Sequence, residues 1–100
     1  MARFDVHPMP QGGRGYLLDV QADLLDQLDT RVVVPLLSED QAPPPLKGLN
    51  PIFEIEGMRH VMVTQFIATL RTKELGEALL SLDEHHYTIT NALDLLLTGY

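Results

Sequence analysis

Cysteine is absent from the 100-residue sequence. That excludes disulfides, thiolate metal sites and a cysteine nucleophile, and it suits a reducing compartment. Serine is nearly absent as well. Ser38 and Ser81 are the only two, and neither sits in the Gly-x-Ser-x-Gly context of a nucleophile elbow. Cations are scarce: seven Lys and Arg face fourteen Asp and Glu, for a formal net charge of −7. Phosphate contacts need clustered cations, so independent nucleic-acid binding is not expected. No apolar stretch approaches the ~18 residues of a membrane span, and no signal-peptide core follows Arg3 and Asp5. The expected location is therefore the cytoplasm.

The remaining catalytic chemistries fail in turn. Gly12-Gly13-Arg14-Gly15 lacks the Lys-Ser/Thr of a phosphate loop and leads into a strand, not a helix. His7, His60, His85 and His86 show no metal-ligand spacing. Neighbours on a helix point about 100° apart, so His85 and His86 do not share an ion and read as surface histidines. Two acidic groups, Asp19/Asp23/Asp26/Asp29 and Asp83/Glu84, read as solvated faces. No catalytic residue, metal or cofactor is expected. Residue chemistry favours a binding module and does not identify its partner.

What the sequence does contain is a pattern of short strands followed by one helix. With 45% hydrophobic and 21% charged residues, residues 1–100 fit one globular domain. Arg3–Val6 is a candidate first strand, and His7–Gly15, rich in Pro and Gly, a loop. Tyr16–Val20 reads as a strand, and Gln21–Thr30 as a polar excursion or short turn. Arg31-Val32-Val33-Val34-Pro35-Leu36-Leu37 is the strongest strand signal, with Pro35 expected at an edge or bulge because it cannot donate to a ladder. Pro43-Pro44-Pro45 is extended. Ile52–Ile55 and His60–Val63 form a hairpin across Glu56–Arg59, with Gly57 supplying the turn. Gln65–Leu70 suggests a further strand or a crossing segment. Lys73–Leu80 has helical propensity, weakened by Gly76. Asp83–Leu97 is a clear helix, with Asp83 as cap and Ile89, Ala92, Leu93, Leu96 and Leu97 forming one apolar stripe. Gly99 stands where a left-handed C-terminal cap belongs.

Five segments resemble the CcdB toxin family. Leu18-Asp19-Val20-Gln21-Ala22-Asp23-Leu24-Leu25-Asp26 is similar to the acidic signature after the family's second strand. Arg31-Val32-Val33-Val34-Pro35-Leu36 resembles its next strand. Leu49, Pro51 and Ile55 match its Leu-x-Pro and following apolar position, and Met62-Val63-Thr64 with Ala68 continue the register. Ile89–Leu96 with Gly99 resembles its terminal helix and penultimate glycine. No one motif is specific, but the order and distances hold over almost the whole chain.

The resemblance implies a mainly β fold, a small SH3-like barrel with a secondary sheet and a C-terminal helix, assembled as a homodimer. It implies a non-enzymatic toxin that binds the A subunit of DNA gyrase and traps the enzyme on cleaved DNA. A flexible CcdA-like antitoxin neutralises such a toxin and joins it in repressing their operon. The gyrase-contacting positions fall on Leu24, Leu25, Asn91, Asp94, Thr98, Gly99 and Tyr100. Leu24 and Leu25 have core burial as their alternative reading, and Gly99 is explained by capping alone. The best-known member has Trp at the position of Thr98, which leaves Tyr100 as the nearby aromatic. Two other readings compete: an endoribonuclease of the related MazF/PemK fold, and a non-toxic decoy that binds antitoxin.

Overall fold

A computed structural model describes residues 2–99. Its strands are β1 (Asp5–Pro8), β2 (Tyr16–Asp19), β3 (Thr30–Ser38), β4 (Ile52–Ile55), β5 (Met58–Met62), β6 (Ala68–Arg71) and β7 (Leu80–Ser81). Among the described residues one α-helix, α1 (His86–Thr98), follows the strands. The strands run in the order β4-β5-β3-β2-β1-β7, all antiparallel, with β6 branching off β3. The sheet curls into a half-barrel, and the secondary sheet takes the form of that β6 branch. This is the small barrel-like fold with a C-terminal helix that the resemblance implies.

Side chains alternate across a strand, and both faces of the sheet centre are buried here. Val34 and Leu36 of β3 point to one face with Val6, Leu18 and Met62. Ile89, Ala92 and Leu93 of α1 pack on the same cluster. Each large aliphatic side chain buried there contributes roughly 1.5–3 kcal/mol. The other face carries His7, Leu17, Asp19, Arg31, Val33, Val61 and Val63, all buried. The 72–79 segment runs beside the N-terminal strand on this side. The His7 Nδ1–H donates to the Gly76 carbonyl at 2.8 Å, and Leu79 N donates to Val6 O at 2.7 Å.

Several local expectations shift. Phe4 adopts φ 73° and delays the first strand, which then runs through His7 to Pro8 before the loop begins. Pro35 lies inside a central strand, not at an edge. β3 pairs with β6 through Val33 and with β5 from Leu36 onward, so Pro35 sits where the partner changes. Its carbonyl accepts from Val63 N at 3.0 Å, and the missing N–H falls where that ladder ends. The hairpin turn is tighter than expected, because Ile55 faces Met58 across Glu56-Gly57 alone. Both turn residues have positive φ, 52° and 80°, the mirror-image turn that matches strand twist.

The Lys73–Leu80 segment is not helical. A short 3-10 turn at Thr72–Glu74 leads to extended chain and β7, because its backbone bonds go to β1. The terminal helix begins at His86 after a separate 3-10 turn at Asp83–His85. Asp83 does not cap it; instead Asp83 N donates to Ser81 Oγ at 3.1 Å.

Candidate functional site

After β2 the chain leaves the sheet as a turn at Asp23–Leu25. Leu24 is 90% exposed, Leu25 48% and Leu28 50%. Core burial is thereby overturned for Leu24 and Leu25. An apolar side chain so fully offered to water needs a reason beyond folding.

The turn is held from behind by polar groups. Gln21, itself buried, donates from Nε2 to Leu25 O at 2.9 Å and accepts from Val32 N at 3.0 Å on Oε1. Its backbone N–H donates to Asp19 Oδ1 at 3.0 Å. Asp19 Oδ2 in turn accepts from Arg31 Nε at 2.9 Å and Nη2 at 2.6 Å. Burial pushes the Asp19 carboxyl above the usual carboxylate range, and the bonds from Arg31 and Gln21 oppose that rise. From the other side, Arg3 N donates to Asp23 Oδ1 at 2.8 Å and Arg3 Nε to Val20 O at 3.1 Å. Asp19 is thus no member of a solvated acidic face, whereas Asp23, Asp26 and Asp29 are exposed.

Between this turn, β3 and α1 lies an open groove of about 450 Å³. Leu25, Leu28, Val32, Leu93 and Leu97 line it, with Arg3 and Asp94 at polar positions. The structure therefore brings two expected site residues, Leu25 and Asp94, to one apolar concavity. Asn91 is exposed three residues before Asp94, which places it on the same side of the helix. Thr98 Oγ1 donates to Asp94 O at 2.7 Å, and Gly99 closes the helix at φ 82° with its N–H shared between Asp94 O and Leu95 O. Neither lines the groove. Tyr100 lies outside the described residues.

Leu97 corrects the apolar stripe: it is 70% exposed and belongs to the groove, while Leu96 is half-buried. Arg3, Gln21 and Leu28 were not singled out from sequence. Leu28 had a signal, because Leu24, Leu25 and Leu28 share one spacing. Gln21 had none, since its role depends on where Leu25 O and Val32 N meet.

A second cleft of about 350 Å³ lies elsewhere, formed by Gly13–Tyr16, Ser38, Met58 and His60. Ion pairs Arg14–Asp40 at 3.7 Å and Arg59–Glu39 at 3.0 Å involve residues near it. His7 and His60 are buried, while His85 and His86 are exposed. Among the described residues no three His, Asp or Glu gather as a metal site, and no helix is long and apolar enough to cross a membrane.

A comparison with curated proteins finds no match. The family model described as CcdB protein matches residues 3–99, essentially the whole chain, and the curled half-barrel with its terminal helix agrees with it. The chain belongs to the CcdB family.

Proposed function

We propose that this toxin binds the A subunit of DNA gyrase through the Leu24–Leu25 turn and the end of α1, holding the enzyme on cleaved DNA. The toxin–antitoxin role follows from family membership. The observation that carries the gyrase reading is the pair of solvent-facing leucines beside an apolar groove that also reaches Asp94. Exposed apolar side chains around a concavity suit a protein partner, with the leucines as anchors. Asn91, Asp94, Thr98, Gly99 and Tyr100 supply the rest of the contact in this reading. The toxin acts by occupancy and catalyses no step.

A flexible CcdA-like antitoxin segment neutralises it and joins it in operon repression. The exposed acids and the loops at His7–Gly15 and Gln41–Gly48 suit a cation-bearing segment.

The endoribonuclease alternative finds little support in the cations. Of Arg14, Arg31, Arg59 and Arg71, the arginines such a site would draw on, Arg31 is buried in its pair with Asp19 and Arg14 and Arg59 are each paired with an acid, which leaves Arg71, beside Lys73 and Asp29 in a small cleft. Purified protein incubated with gyrase and supercoiled DNA should yield broken DNA that depends on both proteins. The same protein should leave RNA intact. RNA cleavage without gyrase-dependent DNA breakage would overturn the reading.

A further inference from the structure

The Leu24–Leu25 turn has little of its own to fix its position. Ala22 to Asp29 are all exposed, and the turn's internal bonds, Leu25 N to Ala22 O, Asp26 N to Asp23 O and Leu28 N to Leu25 O, close single short loops. Such bonds shape a turn locally without setting where it stands on the body. Bonds to the rest of the body do that: at the far end Thr72 N donates to Asp29 O at 2.8 Å and Thr72 Oγ1 to Leu28 O at 3.5 Å, and two further contacts hold the near end, where Leu24 and Leu25 stand. Arg3 reaches the turn at Asp23 by its backbone N–H, at a half-buried site open to water. Gln21 reaches it from the interior, only 6% exposed, and spans two elements with one amide.

The two bonds of that amide are not interchangeable. Oε1 takes the Val32 N–H from β3, and Nε2 gives its proton to Leu25 O. The first ties the side chain to the sheet, and the second ties the turn to the side chain. Behind it, Asp19 holds the Gln21 backbone N–H with one carboxylate oxygen and Arg31 with the other. A buried, satisfied chain of polar groups thus runs from β3 to the carbonyl of a residue whose side chain enters the groove. Such networks rigidify what they connect.

We infer that Gln21 is a positioning residue: its carboxamide presents Leu24 and Leu25 to the partner by locking the Leu25 carbonyl to β3. This rests on the proposed use of that turn for gyrase, and it deepens that proposal. A rigid anchor loses less freedom on binding than a mobile one, so the lock should act on affinity more than on folding.

The test uses the full-length chain with Gln21→Glu and Gln21→Met. Glutamate keeps an acceptor for Val32 N and loses the donor to Leu25 O; methionine loses both. Methionine also places no charge beside Asp19, which covers the case in which Gln21→Glu does not fold. Amide hydrogen exchange is read first, because it needs no partner. Leu25, Asp26 and Leu28 should exchange about tenfold faster in both variants, whereas Val32 should stay protected in Gln21→Glu and open only in Gln21→Met. Affinity for the gyrase A subunit should fall about five- to tenfold in folded variants, against complete loss in Leu24→Ala/Leu25→Ala. Unchanged exchange across Leu25–Leu28 in both variants would overturn the inference. So would undiminished gyrase affinity in a folded variant whose turn has loosened. Absence of gyrase binding by the wild-type chain would instead overturn the function, and the exchange pattern alone would then decide the role of Gln21.

Discussion

Asp19 and Arg31 occupy the strand face opposite the main apolar cluster, yet their side chains are 0% and 1% exposed. Removing one partner of such a pair strands the other charge away from water. Arg31→Met, which leaves the buried Asp19 without its partner, should therefore cost about 3–5 kcal/mol in urea unfolding at neutral pH. The pH dependence carries a definite sign. Burial raises the Asp19 carboxyl against the pull of Arg31, so the folded chain holds this proton more tightly than the unfolded one. Its contribution is fully present below the ordinary carboxylate value of about 3.9 and is lost as pH rises through the raised value. The wild-type advantage over Asp19→Asn should shrink as pH climbs from about 4, and an advantage that grows over that range would contradict the assignment. The sequence could not reveal this pair. Asp19, Asp23, Asp26 and Asp29 share a spacing that suits a wet face, and nothing local separates the first from the rest. Only the closing of chain over the second sheet face makes Asp19 different.

Among the elements, α1 was the most legible. The inner part of its stripe and its C-terminal glycine are readable, because apolar periodicity and a left-handed cap are local signals. Its start was misplaced because Ser81, and not Asp83, supplies the nearby side-chain oxygen. Lys73–Leu80 departs from its helical expectation for a different reason: helical propensity is a weak prior that tertiary bonds override. Here the carbonyl of Gly76 is taken by His7 and the N–H of Leu79 by Val6 O. The proposed function also sets the helix end apart from the fold. Ile89, Ala92 and Leu93 anchor it, while Thr98 and Gly99 are exposed. Deleting residues 98–100 should lower stability by about 1 kcal/mol at most, comparable to losing a cap. Growth inhibition should disappear, with circular dichroism and melting temperature near those of the wild type. A truncated chain that still arrests growth would refute a gyrase contact at the tip, and one that unfolds would make the tip a structural element.

For the molecule as a whole, Leu46, Met58, Leu79 and Tyr87, which do not line the groove, are exposed as well and leave apolar surface that a small domain does not cover by itself. We expect a symmetric homodimer. Light scattering at micromolar concentration should give twice the chain mass, and a monomer there would remove the dimer from the proposed mechanism. β3 sets a further constraint on the whole chain. Three residue steps along it, from Leu36 to Val33, are matched by six steps on the returning chain, from Met62 to Ala68. The surplus is taken up by the short turn at Thr64–Phe66, opposite the proline that ends one ladder. Side chains in a strand alternate, so a single-residue change in that turn would turn β6 inside out, whereas a change of two would preserve its facing. The spacing between Met62 and Ala68 thus has a parity. Length variation among chains sharing this β3 arrangement should come there in even steps, while Pro/Gly-rich loops such as 41–48 remain free to grow or shrink by one.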